Sequence, residues 1–202
     1  MKHALLLIDL QNDFCTGGAL AVNDGDATIA VANRLATAFS LRGDAVIASQ
    51  DWHPANHGSF AAVAGQPPYT PGELNGLPQT WWPEHCIQHS HGAQFHPQLD
   101  TSFIDAVFYK GQDATVDSYS AFFDNGQRRK TELDQWLKSR NITALVILGL
   151  ATDYCVKFTV LDALALGYQV EVVRDGCRGV NLAPEDSDLA LAEMAAAGAV
   201  IR

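Results

Sequence analysis

Short, almost unbroken apolar runs separated by helical patterns constrain this chain more than any other feature. The runs at 4–8, 45–49, 106–109, 144–148 and 168–173 lack the polar alternation of a half-exposed strand, and 199–201 offers a sixth, edge strand. Such runs read as strands covered on both faces. Helical patterns lie between them at 26–39, 127–139, 154–166 and 184–197. Leu166-Gly167-Tyr168 and Ala197-Gly198-Ala199 read as helix stops followed at once by a strand. Alternating strand and helix predicts an α/β protein: a three-layer α/β/α domain around a mostly parallel sheet of about six strands. Ligands in such folds sit beyond the carboxyl ends of the strands. At 202 residues the expectation is a single domain spanning 1–202.

Composition narrows the partners. The chain is 48% hydrophobic and 18% charged, enough apolar surface for a core and too little charge for disorder. Thirteen basic against 23 acidic residues leave a net charge of −10, a field that repels nucleic acid and anionic membranes alike. No apolar run approaches the roughly 20 residues of a membrane span. The apolar start is cut by Asp9 before a signal-peptide core is complete, so a cytoplasmic protein is expected. The four cysteines, at 15, 86, 155 and 177, then read as thiols rather than a disulfide framework.

One stretch breaks the pattern. Residues 51–99 lose periodicity and hold seven of the eight prolines, six of the seven histidines and three of the four tryptophans. An irregular insertion of that length is functional or disordered, and Trp52, Trp81 and Trp82 speak for function. Reactive side chains also gather at strand ends: Asp9 after the first, Asp51 after the second, Lys110 after the third, and Cys155 after the fourth at a helix start. Taken singly they are charged residues where strands meet water; together with Cys155 they suggest one crevice. A cysteine in the first helical turn, capped by Thr152 or Asp153, feels free N–H groups that lower its pKa. The N–H groups of Ala151 and Cys155 could hold an oxyanion. Asp51, His53 and His85 make a carboxylate–imidazole set for a divalent ion with open positions. Ser59, His57, His89, His91 and His96 are further donors in reach of the same insertion, and His89, His91 and His96 read as surface residues.

These residues fall in ordered motifs: Ile8 to Phe14 continuing through Leu20, Ser49-Gln50-Asp51-Trp52-His53-Pro54, Trp82-Pro83-Glu84-His85-Cys86, Phe108-Tyr109-Lys110-Gly111, Asp117 to Phe122, and Gly149 to Val156. In them the chain resembles the nicotinamidases, within the isochorismatase-like cysteine hydrolases. The resemblance implies a catalytic triad of Asp9, Lys110 and Cys155, and Asp51, His53 and His85 as ligands of one divalent ion, zinc, iron or manganese. Ser59 matches the family's variable fourth position near the metal. Phe14, Trp82 and Tyr119 match residues lining a small aromatic pocket, and Leu150-Ala151 matches a cis peptide that aims the Ala151 N–H into an oxyanion hole. The implied reaction converts nicotinamide, and by extension pyrazinamide, to acid and ammonia through a cysteine thioester in NAD salvage. Other readings are an isochorismatase or ureido-group amidohydrolase on the same fold, a metal-activated-water hydrolase with Cys155 incidental, and a non-enzymatic metal-binding protein. Monomer and homo-oligomer stay equally open.

Overall fold

Residues 2–202 are described by the computed structural model. The apolar runs become the strands of one sheet: β1 (His3–Ile8), β2 (Ala45–Asp51), β5 (Ala106–Lys110), β6 (Ala144–Leu150), β7 (Gln169–Arg178) and β8 (Val200–Ile201). Their order is β5-β2-β1-β6-β7-β8, and every pairing is parallel. The sheet is therefore wholly parallel among the described residues. β1 and β6 are buried almost throughout, which explains runs with no polar alternation.

Helix α1 (Ala27–Leu41) buries Ile29, Ala32, Ala36 and Phe39, one stripe at helical spacing. It returns the chain from β1 to β2, whereas α4 (Lys157–Ala165) and α5 (Asp186–Ala196) carry it the other way, from β6 to β7 and on to β8. Right-handed crossovers running in opposite directions put their helices on opposite faces, which makes the three layers. The direction changes between β1 and β6. Ligand crevices form at this switch point, because the connections leaving the two central strands diverge there.

Three expectations need correction. The pattern at 127–139 yields only α3 (Leu133–Ser139): the Asp124 carboxylate takes the N–H groups of Gly126, Arg128 and Arg129, and so holds 124–129 as a turn. The insertion is not wholly irregular. It contains a short helix α2 (Ala61–Ala64) and a hairpin of β3 (Pro71–Leu74) and β4 (Leu77–Thr80). Asn75-Gly76 turns that hairpin, both residues at positive φ, a signal already present in the sequence. Cys155 lies in a π-helical turn, Thr152–Val156, ahead of α4; neither Thr152 nor Asp153 caps it. Asp153 instead accepts the N–H groups of Val180 and Asn181, tying the turn to the chain after β7.

Candidate active site

The crevice is built by close approach of the two central strands. Ile8 pairs with Gly149, whose φ is +138°, and a Cβ there would fall onto the Ile8 backbone. Only glycine fits. Beyond that pair β1 gives way to Asp9, at φ 49°, and β6 leads into the Leu150–Ala151 bond, which is cis. On the other side of β1, Asp51 is held by Gln11: its N–H donates to Gln11 Oε1 (2.9 Å), and Gln11 Nε2 donates to its carbonyl (2.8 Å).

Lys110 joins these pieces. Its Nζ lies 2.8 Å from Asp9 Oδ2, 2.6 Å from Asp51 Oδ1 and 3.3 Å from Cys155 Sγ, and donates to the Ser118 carbonyl at 2.9 Å. An ammonium has three hydrogens for these four neighbours. The Asp9 contact is the one without hydrogen-bond alignment, so Oδ2 is buried with no donor, while Oδ1 accepts from Ser49 Oγ at 2.7 Å. Asp9, Asp51 and Cys155 offer atoms that all lie within 4.8 Å of one another.

Burial and charge set the protonation of the group. Burial pushes the Asp9 carboxyl above its ordinary value against the pull of Lys110. Burial acts the same way on Asp51, but Lys110 and His53 outweigh it and hold that carboxyl well below the usual range. Burial opposes the Lys110 charge, yet Asp51 and Asp9 lift its pKa well above normal, so it stays an ammonium. The Cys155 thiol is pushed well up by burial, with Lys110 only partly offsetting. The expected lowering at a helix start is thus overturned: Cys155 is buried beside two carboxylates, and it rests as a thiol next to the Asp9 carboxyl, whose Oδ2 is ion-paired with Lys110.

Asp51 Oδ2 faces two imidazoles, His53 Nε2 at 3.3 Å and His85 Nε2 at 3.5 Å. His53 Nδ1 donates to the Gly111 carbonyl and His85 Nδ1 to that of Pro83, both at 2.8 Å, which turns both Nε2 lone pairs inward. His53 Nε2 is buried without a hydrogen-bond partner. Two inward lone pairs, one of them on the orphaned His53 nitrogen, and a carboxylate oxygen fit a divalent metal. His57 is occupied otherwise: Nδ1 accepts from Ser59 Oγ at 2.7 Å, Nε2 donates to the Val116 carbonyl at 3.3 Å, and burial with His53 brings its pKa down to about 4. The Ser59 hydroxyl, fully buried, spends its hydrogen on His57. Of the outlying histidines, His89 and His91 are exposed as expected. His96 is not a surface residue: it is half-buried and pairs with Asp26 at 3.1 Å.

Between triad and histidines lies a tight slot lined by Phe14, Trp82, Tyr119, Ala151 and Cys155. Tyr119 accepts from Trp82 Nε1 at 3.2 Å, and Tyr154 meets the Trp82 ring edge-on at 4.9 Å. The Ala151 N–H donates to no backbone carbonyl among the described residues. Sequence reasoning missed Tyr154, Asp117 and Gln79. Tyr154 adjoins the cysteine and could have been found there. Asp117 lines the slot and accepts from Gln79 of the hairpin at 2.9 Å, a contact between segments 38 residues apart that no local pattern carries.

This fold and this constellation of buried acid, lysine and thiol define a class of cysteine hydrolase. The isochorismatase domain family matches residues 3–202, and the chain belongs to that family. It is 67% identical over 199 residues to nicotinamidase of Escherichia coli, covering 98% of this chain and 93% of that one. It is 39% identical to nicotinamidase/pyrazinamidase of Mycobacterium tuberculosis over 89% of this chain and 88% of that one. Among solved structures, an Acinetobacter baumanii nicotinamidase/pyrazinamidase superposes with a TM-score of 0.94 at 41% identity, covering 99% of this chain and 95% of that one. Pyrazinamidase of Pyrococcus horikoshii in complex with zinc gives 0.83 at 35%, covering 100% and 99%.

Proposed function

We propose that the chain is a nicotinamidase, hydrolysing nicotinamide to nicotinic acid and ammonia, and that it accepts pyrazinamide as well. The observation carrying this reading is the 3.3 Å approach of Lys110 Nζ to Cys155 Sγ within a buried pair of carboxylates, with an aromatic slot between thiol and metal set. The whole of 1–202 acts as one domain, with 51–99 as its metal-binding insertion.

An amide is a poor electrophile, so attack needs a thiolate, and departure of ammonia needs a proton. Asp9 Oδ2 takes the Cys155 proton, made a better base by its raised pKa. The sulfur then attacks the carboxamide carbon, and the N–H groups of Ala151 and Cys155 stabilise the oxyanion. Asp9 returns the proton to the leaving nitrogen. It next activates a water that cleaves the thioester, releasing the acid and restoring the thiol. Lys110 stays charged throughout and stabilises both the thiolate and the Asp9 carboxylate. Asp51, His53 and His85 would hold the divalent ion, zinc, iron or manganese, with Ser59 as the fourth protein group of the set. When bound, the ion supplies a Lewis-acid anchor for the ring nitrogen. Phe14, Trp82 and Tyr119 pack the ring. The substrate is a small molecule, with neither nucleic acid nor membrane as a partner. No helix among the described residues is long and apolar enough to cross a membrane, and a cytoplasmic location fits this chemistry.

Ammonia release from nicotinamide by the purified protein, with and without chelator, tests the reading. Stoichiometric ammonia and nicotinate, reduced on chelation, are expected; no ammonia from the metal-loaded protein would overturn it.

A further inference from the structure

A second group of metal-ligating side chains lies outside the slot. Cys15 Sγ, a carboxylate oxygen of Asp26 and a ring nitrogen of His96 all fall within 4.8 Å of one another. They come from separate parts of the chain: Cys15 directly follows Phe14, Asp26 precedes α1, and His96 belongs to the insertion. The backbone holds them in place, because His96 N–H donates to the Leu10 carbonyl and Cys15 N–H to that of Asn12. Asp26 is oriented in advance. Its Oδ2 accepts both the N–H (2.9 Å) and the hydroxyl (2.6 Å) of Thr16, leaving Oδ1 for His96 Nε2 at 3.1 Å. Fixing one carboxylate oxygen so that the other points inward is what a metal site asks of its supporting groups.

We propose that Cys15, Asp26 and His96 form a second divalent-metal site, distinct from the Asp51/His53/His85 set. The chemistry selects the ion: a thiolate, an imidazole and a carboxylate suit zinc better than the harder magnesium or calcium, and three protein ligands leave a fourth position for water. Cys15 is buried, whereas Asp26 and His96 are 39% and 12% exposed at the side chain, so the ion enters from the rim. Binding releases the thiol proton to solvent and shifts the Nε2 proton, which His96 donates to Asp26, onto His96 Nδ1, at the expense of the exposed 3.2 Å hydrogen bond from Gln98 N–H. Burial and Asp26 hold the free thiol up at about 12, so its proton leaves only as an ion takes its place. The bound ion ties the insertion to the segment carrying Phe14, one residue from the slot.

The test uses the full-length Cys155→Ala protein, in which no thiol remains in the slot. Stripped with chelator, given Zn²⁺ alone and desalted, it should retain two equivalents. Cys15→Ala or His96→Ala, added to Cys155→Ala, should reduce this to one, with Cys15→Ser and His96→Gln as milder substitutions. Loaded with Co²⁺, the parent should show a near-ultraviolet thiolate-to-cobalt charge-transfer band that disappears with Cys15→Ala. A single equivalent in the parent, or a second that survives loss of both Cys15 and His96, would overturn the proposal.

Discussion

Lys110 is the residue on which both halves of the site depend. Its ammonium touches Asp9, the carboxylate proposed to handle protons, and Asp51, the carboxylate that faces the histidines, and it lies 3.3 Å from the Cys155 sulfur. Lys110→Ala leaves Asp9 buried with no countercharge and Asp51 with only its imidazole neighbours, and breaking a buried pair in this way costs about 3–5 kcal/mol. Urea unfolding of Lys110→Ala should show a loss of that size together with loss of turnover; a variant as stable as the parent would contradict the pairing. Cys155 is expected to be the thiol alkylated first by iodoacetamide, with activity falling in proportion. The reason is not a low resting pKa, since burial raises all four thiols. Cys155 alone lines the slot with Asp9 beside it. Equal labelling of several cysteines with activity retained would count against the assignment. Asp9, Lys110 and Cys155 were legible in the sequence because reactive residue types stood at strand ends. The state of the thiol was not, because burial and two carboxylates from distant strands set it. His96 was misread for the same reason: its partner, Asp26, is 70 residues away.

At the scale of elements, the close pairing of β1 and β6 sets where Asp9 and Cys155 stand. Gly149→Ala would collide with the Ile8 backbone and force a side chain onto φ +138°, so a loss of roughly 2–5 kcal/mol is expected from overpacking and backbone strain together. Gly43, at φ +74° with open space around it, is the control: Gly43→Ala should cost only about 1–2 kcal/mol by the same denaturant measurement. Equal losses at the two sites would show that strand approach is not what Gly149 serves. Helix α3 supplies a pH test. Burial works to raise the Asp134 carboxyl, but Lys138 at 2.8 Å and the Tyr168 hydroxyl at 2.7 Å hold it below its ordinary value. A carboxyl lowered on folding stabilises above the unfolded pKa, about 4, and loses that contribution as pH falls through the folded value. Asp134→Asn should therefore be less stable than the parent at neutral pH and nearly equal to it near pH 2, by unfolding at both; a constant difference would refute this. The strands were legible from apolar runs. The hairpin was overlooked although Asn75-Gly76 announced it, and the false start of α3 arose because Asp124 competes for N–H groups that a helix would use.

At the scale of the whole molecule, topology does the assembling. Three strands extend to each side of the switch point, so the two central connections bring Asp9 and Cys155 together while β2 and β5 deliver Asp51 and Lys110. The insertion supplies His53 and His85 from the other side, and the ring-sized slot lies between. In the proposed mechanism this division separates positioning from chemistry. Asp51→Ala and His85→Ala should lose the ion, measured by metal content, and raise KM for nicotinamide strongly; kcat falls too, because a misplacement of ~1 Å can cost about a hundredfold. Cys155→Ala should keep the ion and bind nicotinamide with no turnover, and unchanged binding to that variant after complete metal removal would end the positioning role. The parallel sheet and its crevice followed from the order of strands and helices, whereas the double use of Asp51 by Lys110 and by the histidines emerged only in three dimensions. The central claim is that the amide is cleaved on Cys155. The most direct measurement is mass spectrometry of enzyme acid-quenched during turnover of nicotinamide. One nicotinoyl group on the peptide carrying Cys155, absent from Cys155→Ala, is the expected result; ammonia release by Cys155→Ala at the parental rate, with no adduct on the parent, would contradict it.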